Sequence, residues 1–403
     1  MLSSARIATR QAAVRRMGAL PMSAARAGST WANVPQGITE AFKADKFDGK
    51  INLGVGAYRD DQGKPYVLPS VRTAEEKVVA AKLNKEYAGI TGFTKSAAVL
   101  AYGADSSALD RLAITQSISG TGALRIGGAF LARFYPGAKN IYIPTPSWAN
   151  HGAVFTDAGL TVNKYRYYDQ KTIGLDFEGM LADIKAAPKG SIFLFHACAH
   201  NPTGWREISD AVKASGHYSF FDMAYQGFAS GNTDTDAFAV RHFVKEGHNI
   251  CLAQSFAKNM GLYGERVGAF SIVAQDAEER KRLDSQIKIL VRPLYSNPPV
   301  HGARIASTIL NDAALNQQWL GEVKGMADRI ITMRALLKEN LEKLGSAHDW
   351  SHITSQIGMF AYTGLTPSRW TPSPRSTPST PPRTAASPGN VGRLAEAIYK
   401  VKG

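Results

Sequence analysis

The stretch Tyr218-Ser219-Phe220-Phe221-Asp222-Met223-Ala224-Tyr225 decides how the chain is read. It is a short apolar run that ends in a carboxylate, with a phenol three residues further on. Similar runs stand on either side of it: Asn140 to Ile143, Ser191 to Phe195 and Ile250 to Ala253, each followed directly by polar or small residues. Helical patterns alternate with them from about residue 49 to 310, which predicts an α/β fold with a mostly parallel sheet covered by helices on both faces. An open sheet of that kind gathers its chemistry at the C-terminal ends of its strands, where Asp222 falls.

Beyond the sheet region, Trp319, Val323, Met326, Ile330, Met333, Leu337, Leu341 and Leu344 recur every three or four residues. They mark one long amphipathic helix leading from a large domain into a smaller one. The segment from Thr366 to Gly389 breaks the pattern: seven Pro, five Ser, five Thr and three Arg without an acid exclude a packed helix or strand. Helical sequence resumes at Val391 to Val401. At the other end, the first 28 or so residues are rich in Arg, Ala and Ser and free of acids, and can form a basic amphipathic helix. That composition describes an organelle transit peptide, mitochondrial in the first place and plastid in the second.

The chain has 403 residues, 44% hydrophobic and 20% charged, enough for two domains with substantial cores. No stretch approaches the roughly 18 to 20 apolar residues of a membrane helix. Cys198 and Cys251 cannot form a disulfide framework in so long a chain and read as buried thiols in a reducing compartment. The net charge of +14 invites a nucleic-acid reading. Five of the arginines precede the first acid, Glu40, and three more sit in the Pro-rich segment. No basic cluster interleaved with aromatics appears, so nucleic-acid binding is set aside.

Three local patterns could carry chemistry. Ser119-Gly120-Thr121-Gly122 follows a strand ending near Ile118 and opens a helix, offering N–H groups and the helix dipole to a phosphate. It fits neither the dinucleotide fingerprint nor a nucleotide-triphosphate loop, and a tight turn is the plain alternative. Asp222 could pair with a protonated ring nitrogen and Tyr225 could hydrogen-bond a ring oxygen; the plain alternative makes Asp222 a helix N-cap. Beyond the next run come Ser255, Lys258 and Arg266: a lysine that could form a Schiff base with an aldehyde, and an arginine that could clamp a phosphate. Taken singly, these are more often a solvated lysine and a surface arginine.

Together they carry a resemblance. NLGVGAYRDD (52–61), SISGTGALRIG (117–127), HACAHNPTG (196–204), FFDMAYQGFASG (220–231), QSFAKNMGLYGERVGAF (254–270) and RPLYSNPP (292–299) resemble the motifs of aspartate aminotransferases, pyridoxal-phosphate enzymes of fold type I. The likeness covers roughly Ser29 to Leu365 and Asn390 to Gly403, nearest the organelle-targeted branch. It implies a large domain with a mostly parallel sheet and a smaller α/β domain: a leader at 1–28, an N-terminal arm and small-domain segment at 29–60, a large cofactor-binding domain at 61–315 and a small C-terminal domain at 316–403. It also implies pyridoxal 5′-phosphate as cofactor and no metal. The implied activity is amino transfer from L-aspartate to 2-oxoglutarate, giving oxaloacetate and L-glutamate, in a homodimer with shared active sites in the mitochondrial matrix. No membrane span is expected.

Carried over position by position, the resemblance makes Lys258 the Schiff-base lysine and the proton shuttle, and Asp222 the partner of the ring nitrogen. Tyr225 and Asn201 would hydrogen-bond the ring oxygen, Trp148 would stack on the ring, and His151 would support Asp222. Ser119, Gly120, Thr121, Ser255 and Arg266 would hold the phosphate, with Tyr87 from the partner subunit. Gly56 and Arg292 complete the substrate site. Arg292 would reach across the dimer to the distal carboxylate, which a planar guanidinium reads bidentately. Without the family, Arg292 before Pro293 reads as a surface or capping arginine.

The chain also departs from the pattern. The Pro-rich segment stands where the family has a second carboxylate-binding arginine, and neither Arg375 nor Arg383 has the required context. The loop after Trp31, the run near Gly92 and the Gly204-Trp205 join are shorter than the family's by about seven, three and seven residues, losses that loops tolerate. Two rivals follow: an aromatic-acid aminotransferase of the same fold, and a catalytically impaired cofactor-binding protein.

Overall fold

The computed structural model describes residues 56–87, 89–198, 204–359 and 388–402, with the isolated positions 42, 44 and 46. The expected leader and most of the arm lie outside the described residues, as do Asn201 and the Pro-rich segment through residue 387. Ile51–Pro372 and Pro378–Gly403 belong to one compact unit, which carries every element below.

The chain runs α1 (Pro69–Ala80), α2 (Thr91–Tyr102), β1 (Leu112–Ile118), α3 (Ser119–Phe134), β2 (Asn140–Thr145), α4 (Asn150–Asp157) and β3 (Thr161–Arg166). A hairpin of β4 (Tyr168–Asp169) and β5 (Gly174–Leu175) leads to α5 (Phe177–Ala186), β6 (Ile192–His196), α6 (Trp205–Ala214) and β7 (Tyr218–Met223). Then come α7 (Thr233–Asp236), α8 (Phe238–Lys245), β8 (Cys251–Ser255), β9 (Val267–Val273), α9 (Ala277–Tyr295) and α10 (His301–Asn311). The long α11 (Ala313–Lys343), α12 (Ser351–Ser355) and α13 (Pro388–Lys402) close the chain.

Seven strands form one sheet in the order β1-β9-β8-β7-β6-β2-β3. All neighbours are parallel except β9, which runs antiparallel to both β1 and β8. The strands are apolar on both faces because both faces are covered. Successive side chains point to opposite sides: Phe193, Phe195 and Phe221 join a cluster with α5, α6 and α8, while Ile192, Leu194 and Phe220 join one with α3, α4 and α9. A third cluster packs α1, α2, α10 and the first half of α11 together.

Helix starts follow local chemistry. Asp176, Asp276 and Asp312 each accept backbone N–H bonds at the first turns of α5, α9 and α11. The α11 stripe is buried from Leu315 to Leu341, but Leu344, expected to continue it, is 37% exposed. The helix stops at Lys343 because Gly345 turns the chain at φ +79°, with Ser346 N–H donating back to the Leu341 carbonyl. Pro293 does not end α9, which continues to Tyr295. Beyond the middle of α11, Met333, Leu337 and Leu341 form a separate cluster with Trp350 and with Leu394 and Ile398 of α13.

Candidate active site

The sheet register brings the chemistry to one edge. His196 and Asp222 are paired neighbours on β6 and β7, Asp222 faces Ala253 on β8, and Ser255 at the end of β8 pairs with Gly268 on β9. Asp222 is therefore a strand residue and not a helix cap. His151, buried on α4, bonds Asp222 Oδ2 through Nε2 at 3.0 Å and the Ser147 hydroxyl through Nδ1 at 2.7 Å. A carboxylate can only accept when ionised, so His151 donates from Nε2 and accepts from Ser147 at Nδ1 when neutral.

Burial pushes the Asp222 carboxyl up, but the His151 hydrogen bond and the charges of His151, His196 and Lys258 outweigh it and hold the pKa below the ordinary carboxylate value. The ligating atoms of His151, His196 and Asp222 lie within 4.8 Å of one another. Both nitrogens of His151 are already committed, to Ser147 and to Asp222, so Ser147, His151 and Asp222 form a hydrogen-bonded relay with His196 packed beside it. Trp148, 38% exposed, presents its indole edge-on to His151 at 5.3 Å between centroids.

Lys258 sits in the turn after β8 with Nζ 5.2 Å from the centroid of the Tyr225 ring. Its neighbours Phe256, Ala257, Asn259 and Met260 are buried, so the lysine is offered from an apolar bed. The turn is pinned from behind: the Trp319 indole N–H on α11 donates to the Asn259 carbonyl at 2.8 Å, and the Asn259 amide donates to Gln226. The Tyr225 turn is braced by buried Asp236, which accepts the N–H groups of Gly227, Ala229 and Ser230 at 2.8–3.1 Å.

At the start of α3, Ser119 takes φ +62° and its hydroxyl meets the Ser255 hydroxyl at 3.0 Å, both side chains being buried. Gly127 lets α3 lie flat on the sheet, since a Cβ there would come within 2.3 Å of Phe220. Gly268 has the same role at the helix tip: a Cβ would come within 2.5 Å of the Gln254 carbonyl and 2.6 Å of the Ser119 backbone. Gly120 and Thr121 form the first turn beside this junction, with Thr121 exposed. Arg266, exposed at φ +54°, leads into β9 and donates to the Tyr263 carbonyl at 2.9 Å.

Three expected residues stand apart from this cluster. Arg292 is exposed near the end of α9 and its side chain bonds Ser296 at 3.4 Å. Tyr87 is 79% exposed between α1 and α2. Gly56 is half-buried, and its near neighbour Tyr58 is tied to the Lys258–Arg266 turn by an N–H bond to the Tyr263 hydroxyl at 2.8 Å. Asn201 lies outside the described residues. Sequence reasoning gave no role to Ser147, His196, Trp319 or Gly268. His196 stood in a quoted motif, Ser147 beside Trp148, and Trp319 read only as one position of an apolar stripe.

The family described as aminotransferase class I and II matches residues 48–386. The mitochondrial aspartate aminotransferase of Xenopus tropicalis is 56% identical over 361 residues, covering 85% of this chain and 84% of that protein. Among solved structures, a mitochondrial aspartate aminotransferase from Trypanosoma brucei is 43% identical with a TM-score of 0.85, covering 91% of this chain and 100% of that one. An aromatic-amino-acid aminotransferase from Burkholderia pseudomallei, solved covalently bound to pyridoxal phosphate, is 38% identical with a TM-score of 0.84, covering 93% and 99%.

Proposed function

The chain belongs to the aminotransferase class I and II family, and on that basis we propose how its residues divide the work of amino transfer. The activity is the reversible transfer of the amino group from L-aspartate to 2-oxoglutarate, giving oxaloacetate and L-glutamate, and the cofactor is pyridoxal 5′-phosphate.

The residues fit that cofactor. A carboxylate held ionised at the end of β7 suits a protonated ring nitrogen. Two buried hydroxyls and the tip of a 16-residue helix suit a phosphate, at a junction kept open by a glycine whose Cβ would close it. A lysine with apolar neighbours suits an aldehyde. Ser119, Gly120, Thr121, Ser255 and Arg266 would hold the phosphate; Asp222, Tyr225, Asn201 and Trp148 would hold the ring. When bound, the cofactor supplies an electron sink that stabilises negative charge at the substrate α-carbon.

The chain's own residues do the rest. Asp222 keeps its charge because His151 donates to it, and that charge fixes the electrostatics of the strand end. Lys258 Nζ takes the proton from the substrate α-carbon and returns it in the reverse half-reaction. The indole of Trp148 covers one side of the site and limits water. Arg292, reaching into the site of a partner subunit, would bind the distal carboxylate of aspartate or glutamate, with Gly56 lining the substrate space. Tyr87 would cross the same interface in a homodimer.

The observation that carries this division is the Ser147–His151–Asp222 relay, built around a fully buried His151 and set one strand from the turn bearing Lys258. Its test is the Lys258→Ala enzyme. We expect transamination to fall by about 10²–10⁴-fold or more, with partial recovery by added alkylamines. A variant that keeps wild-type turnover removes the assignment.

Residues 1–28 are proposed to deliver the enzyme to the mitochondrial matrix, in keeping with its mitochondrial relatives. The division into a large body at 61–315 and a smaller one at 316–403 is likewise proposed, supported by the separate core around Trp350 and α13.

A further inference from the structure

A cavity of about 650 Å³ opens between the end of α2, the loop after it, α7, α8 and the start of α11. Neither Lys258 nor Asp222 lines it, so it stands apart from the amino-transfer site. We propose that it binds a zwitterionic, apolar α-amino acid as a second ligand, beyond the reaction assigned above.

Its charged lining is balanced: Arg241 and Lys245 on one side of the account, Asp105 and Asp234 on the other. Arg241 is fixed in place, donating to the Ala101 carbonyl at 3.2 Å and the Leu100 carbonyl at 3.1 Å and pairing with Asp234 at 2.7 Å. Those bonds use Nε and Nη2. Nη1 has no hydrogen-bond partner among the described residues, and neither Lys245 nor Asp105 has an ion-pair partner there. Two cationic donors with bonding capacity left and one uncommitted carboxylate therefore share one cavity. A ligand that offers a carboxylate to Arg241 and Lys245 and an ammonium to Asp105 meets every one of these groups; a simple anion leaves Asp105 opposed.

The remaining wall is mixed: Val99, Leu100 and Leu320 are apolar and Ser106, Ser107 and Asn316 polar, with the buried Trp319 ring behind them. Charged groups converging beside a partly apolar wall describe a small-molecule site, and the Val99, Leu100 and Leu320 side of it favours an aliphatic side chain.

The test is calorimetric titration of the cofactor-loaded full chain with L-leucine, in excess succinate so that a dicarboxylate occupies the amino-transfer site. Expected is saturable single-site heat that persists in succinate, weakens about tenfold or more in both Lys245→Glu and Asp105→Lys, and vanishes for N-acetyl-L-leucine, which lacks the ammonium. Both substitutions lie on the exposed rim and leave the core untouched. The proposal is overturned by absence of heat, by heat that succinate abolishes, by affinity unchanged in both variants, or by equal binding of the N-acetyl compound.

Discussion

At the scale of single residues, the Asp222–His151 pair is proposed to set the site's response to pH. Burial alone would raise the Asp222 carboxyl, and His151 is the chief group opposing it. Removing His151 leaves only His196 and Lys258 to offset burial, so Asp222 then takes up its proton at a higher pH than in the wild type. We therefore expect the acidic limb of the kcat profile of His151→Ala to move to higher pH, with kcat at neutral pH lowered by about tenfold or more. A profile of unchanged shape would show that His151 does not hold the charge. Away from the site, burial pushes the His248 imidazole down to about 4. The unfolded chain binds that proton near 6.5, so the native state loses stability as pH falls from about 6.5 to about 4, by on the order of 3 kcal/mol in all. Thermal melts of the wild type and His248→Gln should diverge across that window and run parallel above it. Asp222 and Lys258 were legible in the sequence as polar residues closing apolar runs. The contacts that tune them were not, because sheet register and helix packing join residues such as Asp222 and His151 that stand 71 positions apart.

At the scale of elements, the meeting of α3 with β8 and β9 is the least forgiving point. Gly268→Ala places a methyl group against two backbone segments that cannot both retreat. Such overpacking costs about 1–3 kcal/mol, and the shift should also weaken cofactor affinity by displacing Ser119 and Ser255. Melting and cofactor titration of the same variant check both effects. The Lys258 turn is tied to α11 by the bond from Trp319 to the Asn259 carbonyl, so Trp319→Phe should cost about 1 kcal/mol of stability or more and lower kcat more than it raises KM. Most elements were legible here: the runs read as strands are β2, β6, β7 and β8, each shifted or extended by a residue or two, and Trp319 to Leu341 form one helix face. The end at Leu344 was misread because a stripe of apolar spacing carries no record of where a glycine turns the chain. The antiparallel course of β9 was equally silent, since a buried strand has the same composition in either direction.

At the scale of the whole molecule, the proposed division of roles needs two chains. Lys258 is proposed to act within its own subunit and Arg292 to serve the neighbour. A mixture of Lys258→Ala and Arg292→Ala chains should then regain activity that neither has alone, because a mixed dimer contains one site with both residues intact. Refolding the two variants together and assaying aspartate-dependent turnover reads this directly, and activity no higher than the average of the parents speaks against shared sites. The Pro-rich segment stands where the family has its second carboxylate-binding arginine, and neither Arg375 nor Arg383 has the context to replace it, so substrate turnover is the property of this chain that most needs a direct test. The decisive measurement is the absorbance spectrum of the recombinant chain with pyridoxal phosphate, before and after L-aspartate. Expected is a protein-bound cofactor band that Lys258→Ala abolishes and that L-aspartate converts fully, with oxaloacetate released in step. A band that L-aspartate leaves unmoved, or no protein-bound band at all, would contradict the assignment.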